Sequence, residues 1–170
     1  MIAGNWQFSP IMKIKTGTYF SVTGGVDYAL NGSPNGATSE RPNQVLASPY
    51  AEHKTIDHWL NPAAFAAPPP GQNGNLGANN IQGPGIFQLD LAVTRTFGVG
   101  EGKSLQLRAE AFNLPNHLNP ANPGICTNGT CVAALNQNAN FGRIQSDISG
   151  TSGLSAGDAR VMQFALKFVF

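Results

Sequence analysis

The sequence predicts an all-β chain, a four-stranded antiparallel meander with long loops. Three observations predict it. Four segments alternate apolar and polar residues with a period of two, and no segment carries convincing helical periodicity. The segments between them are rich in turn formers, with 20 glycines and 12 prolines among 170 residues. Charged residues make up only 11% of the chain, under half of the roughly 25% usual for a soluble domain. The formal net charge is +1, and ten scattered Lys and Arg leave no electrostatic footprint for nucleic acid. No stretch approaches the ~18–20 apolar residues of a transmembrane helix. The N-terminal string MIAGNWQFSP has no basic region ahead of an apolar run, so no signal peptide is expected.

The first strand is expected over residues 5–23. Its even positions, Trp6, Phe8, Pro10, Met12, Ile14, Phe20 and Val22 among them, are largely apolar, while its odd positions are mostly polar. The second, over 86–97, sets Phe87, Leu89, Leu91, Val93 and Phe97 against Gln88, Asp90, Thr94 and Thr96. The third, over 105–114, sets Leu105, Leu107, Ala109 and Ala111 against Gln106, Arg108 and Glu110. The fourth, over 160–170, sets Met162, Phe164, Leu166, Phe168 and Phe170 against Gln163 and Lys167. A turn or two of helix is expected within Tyr50–Leu60.

The connections are as informative as the strands. GVGEGKS, between the second and third strands, reads as a hairpin turn. A phosphate-loop reading of it fails, because the Gly required five residues before the GK is Phe97. The other two connections, residues 24–85 and 115–159, far exceed the ~12–15 residues of ordinary loops. In an up-and-down meander both long loops fall at one end and the short turn at the other, which is the layout of an outer-membrane barrel. Strand length agrees, since a tilted membrane strand needs about 9–11 residues. So do the aromatics: Trp6, Phe8, Phe97, Phe168 and Phe170 stand near the short-turn end, and Phe20 and Phe87 near the long-loop end. Two such levels match the girdles flanking a hydrocarbon band. Arg95 interrupts the apolar face near the turn, where its side chain can snorkel to headgroups. Arg108, Glu110, Gln163 and Lys167 share the opposite face and are expected to face the lumen.

The strings HWLNPAAF, GNLGANNIQGPG, LDLAVTRTF, LQLRAEAFNLPNH, FGRI and MQFALKFVF are similar to the C-terminal stretch of Oar-like TonB-dependent outer-membrane receptors, which often carry an N-terminal carboxypeptidase-regulatory-like domain. The likeness runs in order from Trp6 to Phe170. It implies the C-terminal part of a 22-stranded transmembrane barrel in the outer membrane of a Gram-negative-type cell, engaged in energy-coupled solute transport. Its implied partners are outer-membrane lipid, the rest of its own barrel and plug, and TonB through that plug, which has no counterpart in these residues. The alternating series Met162, Phe164, Leu166, Phe168, Phe170 resembles the signature by which the barrel assembly machinery recognises its clients. The alternative function is a secreted soluble β-module with a binding or adhesion role.

Residues that carry chemistry elsewhere are scarce. No G-x-S-x-G or H-E-x-x-H arrangement is present, and no enzyme activity or cofactor is expected. His53 and His58, with Glu52 and Asp57 nearby, lack a Cys or third His at ligand spacing and read as solvated loop residues. Asn31-Gly32-Ser33 and Asn128-Gly129-Thr130 fit the glycosylation sequon, a pattern that a Gly- and Asn-rich chain produces by chance. Cys126 and Cys131 enclose Thr-Asn-Gly-Thr, whose Asn-Gly suits a tight turn. A local disulfide is expected there, in a loop exposed to an oxidising exterior.

Overall fold

The computed structural model describes residues 4–32, 40–127, 130–148 and 159–170, and the side chains at 125–127, 130 and 138 lie outside that description. In chain order the strands are β1 (Trp6–Lys15), β2 (Tyr19–Phe20), β3 (Val22–Thr23), β4 (Asn43–Gln44), β5 (Phe65–Ala66), β6 (Ile81–Gln82), β7 (Ile86–Gly100), β8 (Lys103–Phe112), β9 (Ile125–Thr127), β10 (Thr130–Ala134) and β11 (Val161–Val169). Short 3-10 turns cover Pro62–Ala64 and Leu135–Asn140, and the described residues contain no α-helix. The chain divides into two compact units. One holds the described residues of Met1–Lys15, Ile86–Leu118 and Asp158–Phe170; the other holds those of Thr16–Gly85 and Asn119–Gly157.

The first unit is a four-stranded sheet in the order β1-β7-β8-β11, with every neighbouring pair antiparallel. Residues directly opposite across such a pair share a face, so the register defines two chemically distinct sides. One row runs Phe8–Val93–Ala109–Phe164, and the next Trp6–Arg95–Leu107–Leu166. With Met12–Leu89 and Ile14–Phe87 they make an almost wholly apolar face. The other face carries Ser9–Ala92–Glu110–Gln163 and Gln7–Thr94–Arg108–Ala165. The hairpin between β7 and β8 needs only Glu101 and Gly102, Gly102 supplying a positive φ of 70°. A bulge between Gly98 and Gly100 absorbs one residue just before it.

The first strand corrects the sequence expectation. It ends at Lys15 rather than 23, although the alternation runs on. Gly17 explains the break: a Cβ there would stand 1.8 Å from the Gly83 carbonyl oxygen, so two backbones pass with no room for a side chain. Beyond it, Phe20 and Val22 are buried in the second unit instead of standing on the sheet's apolar face. The third strand stops at Phe112, two residues short of expectation, because Asn113 turns left-handed with φ 50°. Tyr50–Leu60 is not helical; its ends meet as an isolated antiparallel bridge.

The second unit shows that the described residues of the long connections are folded rather than structureless. Val22, Leu60, Leu76 and Ile81 are fully or almost fully buried there, each worth about 1.5–3 kcal/mol relative to exposure. Phe65 and Phe141 meet edge to face at 5.3 Å between centroids. Three small sheets frame this core: β3-β10-β9, with β3 and β10 parallel, and the pairs β2-β6 and β4-β5. Asn61 caps the turn that carries Ala64 inward, its Oδ1 accepting from the Ala63 amide at 3.0 Å with Pro62 at the first position.

Candidate functional site

The polar face of the sheet holds the densest arrangement of charged groups in the first unit. Glu110 is gripped from two strands. Arg108, two residues back on β8, donates through Nε to Oε1 at 2.9 Å and through its terminal nitrogen as well. Gln163, directly opposite on β11, donates its amide nitrogen to the other carboxylate oxygen, Oε2. A guanidinium, a carboxylate and an amide are thereby held in a fixed order across two strands. Lys167 shares the face but stands opposite Gln106, outside this group. A shallow depression of about 150 Å³ lies alongside, lined by Ser9, Ile11, Asp90, Arg108, Glu110 and Phe112.

At the long-connection end, Asp90 fastens the exit from β8. Its Oδ1 accepts the Asn113 amide at 2.8 Å, and Gln88 donates to both carboxylate oxygens at 3.1 and 3.2 Å. The Leu114 amide then reaches the Leu89 carbonyl at 2.7 Å. Asn113 closes the turn by exchanging two hydrogen bonds with the His117 backbone, both 2.9 Å. Asn116 Oδ1 accepts the Arg160 amide at 3.0 Å, leading the chain into β11. His117 lies edge-on to Phe87 at 5.7 Å. Asn at 113 and 116 fits because both residues take positive φ, which Asn tolerates better than most side chains. This clasp was missed in the sequence; the signal for it was the repeated Asn in NLPNH.

The apolar face is exposed on its two outer strands, β1 and β11, while its β7 residues are half-buried and Ala111 on β8 is buried. Phe164 is 77% accessible, Ile14 67% and Leu166 66%. Trp6 and Phe8 stack at 6.3 Å, as do Phe168 and Phe170 at 6.1 Å. From Phe97 to Phe87 is ten residues, about 33 Å at ~3.3 Å each. A strand tilted by ~40° makes that about 25 Å, the height of the apolar band on an outer-membrane barrel. Arg95, the charged interruption, lies against two rings, its guanidinium carbon 4.9 Å from the Trp6 centroid and 4.4 Å from that of Phe97.

The remaining expected residues fall as follows. Met162, Phe164, Leu166 and Phe168 line the apolar face of β11, with Phe170 just beyond the strand. Cys131 is disulfide-bonded, and the ladder sets Cys126 directly opposite it; the Cys126 side chain lies outside the described residues. Both sequons lie partly outside the described residues. Asp57 is engaged by Arg143 at 2.7 Å. Among the described residues no group of three or more His, Cys, Asp or Glu is placed to hold a metal.

No curated protein and no solved structure matches the chain. A family model does, that of the outer membrane beta barrel domain, over residues 1–163. An antiparallel all-β sheet, apolar and exposed on one face and polar on the other, is what such a domain requires. The chain belongs to the outer-membrane β-barrel family and is a protein of the outer membrane.

Proposed function

We propose that this chain is wall and external loops of an Oar-like, TonB-dependent receptor, contributing four strands to a plugged barrel of the 22-stranded class. The observation that carries the reading is the four-strand apolar face, about 25 Å high between its aromatic ends and exposed on both outer strands. Water does not tolerate a surface of that extent, whereas hydrocarbon does. The likeness of RAEAFNLPNH and the other strings to Oar-like receptors supplies the subtype. Membership of a membrane-barrel family argues against the secreted β-module. On this reading the Arg108–Glu110–Gln163 group lines the lumen toward plug or solute. The alternating aromatics of β11 serve recognition by the barrel assembly machinery, TonB acts only through the plug, and the segment performs no catalysis.

Two measurements test this. The coding sequence around this stretch should continue in frame into a plug and about eighteen further strands; stop codons closely flanking it on both sides would overturn the receptor reading. Solute uptake through the complete receptor should cease when TonB is removed. Uptake indifferent to TonB would reduce the function to that of a passive barrel.

A further inference from the structure

We propose that Arg95 and the groove beside it form a site for one anionic phospholipid, taken from the leaflet at the short-turn end. The inference rests on the reading of the apolar face as the lipid face. Three features of that face carry it.

The first is the held cation. A charge on a lipid-facing surface is costly unless it lies near the headgroups. Arg95 stands within two residues of the Phe97 aromatic level, its guanidinium carbon 4.9 Å from the Trp6 ring centroid and 4.4 Å from that of Phe97. A guanidinium keeps its full charge beside aromatic rings, and phosphate is among the anions it pairs with best. A cation kept beside two rings at the headgroup level loses little side-chain freedom on meeting a phosphate.

The second is the groove. A cavity of about 340 Å³ is lined by Trp6, Val93, Arg95, Leu107, Ala109 and Phe164 of this face, and by Arg108 and Ala165, whose positions belong to the polar face. Its size falls within the ~300–1,000 Å³ of small-molecule sites. The cross-strand row explains its shape: Ala109 stands between Val93 and Phe164, so a methyl group lies between two larger side chains. Such a slot suits an acyl chain rather than a second polar group.

The third is charge complementarity. Between the Phe97 and Phe87 rows, Arg95 is the only charged side chain the register puts on this face. The carboxylates of Asp90 and Glu110 belong to the opposite face. Alternation carries Lys103, two residues beyond Leu105, to the apolar side as well. A headgroup there meets positive charge above an apolar slot, which selects an anionic lipid over a zwitterionic one.

The test uses the whole outer-membrane protein in nanodiscs of phosphatidylcholine with a fixed fraction of phosphatidylglycerol, each lipid brominated in turn. Quenching of Trp6 is read as the difference between wild type and Trp6→Phe. Both lipids should quench, and phosphatidylglycerol should quench about fivefold more per mole, the enrichment one basic side chain supports. Arg95→Gln should bring the two lipids to parity. So should Ala109→Leu, which fills the groove and leaves the guanidinium in place. Should Arg95→Gln fail to insert, raising salt on the wild type makes the same comparison, and the preference should shrink. Equal quenching per mole in the wild type, or a preference indifferent to salt and to Ala109→Leu, overturns the site and leaves the lipid-facing reading standing. Quenching by neither lipid overturns that reading and the site with it.

Discussion

Phe164 gives the sharpest test of which solvent the sheet is built for. Its side chain is 77% accessible, and its row, Phe8–Val93–Ala109–Phe164, lies four residues from Phe97 and six from Phe87. That is near the middle of a ~25 Å apolar band. In water, replacing so exposed a residue changes stability by no more than about 0.5 kcal/mol. At a bilayer midplane an Arg on the lipid face costs about 2–4 kcal/mol. That range is roughly 30- to 900-fold in the folding equilibrium, at ~1.4 kcal/mol per tenfold. Phe164→Arg therefore separates the two solvents by more than the error of a stability measurement. Gln163→Arg is the internal control, since the neighbouring residue points to the other face. It brings a second cation to Glu110, which Arg108 already engages, so its effect should stay within about 0.5 kcal/mol. Leu166→Arg, one row nearer the interface, should cost less than Phe164→Arg. The assay is equilibrium folding of the complete barrel into phospholipid vesicles under urea, followed by gel mobility and tryptophan fluorescence. A Phe164→Arg penalty below about 0.5 kcal/mol, or one matched by Gln163→Arg, refutes the face assignment.

Four further outcomes follow from the geometry. Asp90→Ala removes the acceptor of the Asn113 amide and should cost about 1–3 kcal/mol, with faster amide exchange at Asn113 and Leu114, while Asp90→Asn retains most of the stability. Gly17→Ala drives a Cβ into the Gly83 carbonyl and should cost at least about 1–3 kcal/mol, read as lower folded yield and easier proteolysis of the connection 24–85. Reduction with a dithiol should loosen the β9–β10 hairpin, seen as faster exchange at Val132, and leave the four-stranded sheet unchanged, because so short a loop gives less than the ~3 kcal/mol of a 15-residue one. For Asp27, desolvation raises the carboxyl's pKa, but the amides of Gly32, Asn31 and Leu30 together with Glu40 more than offset it, so the net shift is below 3.8. A depressed carboxyl pKa stabilises the fold above the unfolded value and is lost as pH falls through the folded one. Protection of the Asn31 and Gly32 amides, taken relative to their intrinsic exchange rates, should therefore hold steady from neutrality down to about pH 4 and fall only below it.

How much of this was legible in the sequence depended on whether a physical contrast ran along the chain. Leu105-Gln106-Leu107-Arg108-Ala109-Glu110 alternates because its two sides meet different media, and the pairing of β7 with β8 follows from a short turn. The end of the first strand was not legible. Alternation continues through Phe20 and Val22, yet the medium changes from the sheet's apolar surroundings to a protein core, and periodicity records only sidedness. Gly17 marks the change, though one glycine among 20 carries little weight in sequence. The core of the connections was hidden for a related reason: Leu60, Phe65, Leu76 and Ile81 recur with no period, because turns rather than a ladder bring them together. On the polar face, period two places Glu110 and Gln163 on a common side and the ladder sets them opposite each other, while no period marks the Asp90–Asn113 clasp. A carboxylate that fastens a turn looks in sequence like any other polar residue facing away from lipid.

The two units bury and expose their apolar groups by opposite rules, and that contrast carries the strongest argument about environment. In the connections Phe20 is 6% accessible and packs with Ile81, Val22 and Leu60, as a protein surrounded by water requires. In the sheet Phe164, the same residue type, is 77% accessible, and Phe8, Met12, Ile14 and Leu166 on the two outer strands are exposed as well. A single soluble fold has no reason to collect aromatic side chains into a core in one unit and display them in the other. Nor is the sheet a misassembled soluble layer, because its polar side is the organised one: Glu110 receives hydrogen bonds from two strands and Asp90 from two residues. Groups that need partners have them, and groups that need an apolar medium face outward to meet it. The sheet is therefore suited to hydrocarbon on one side and polar contacts on the other, while the connections are suited to water.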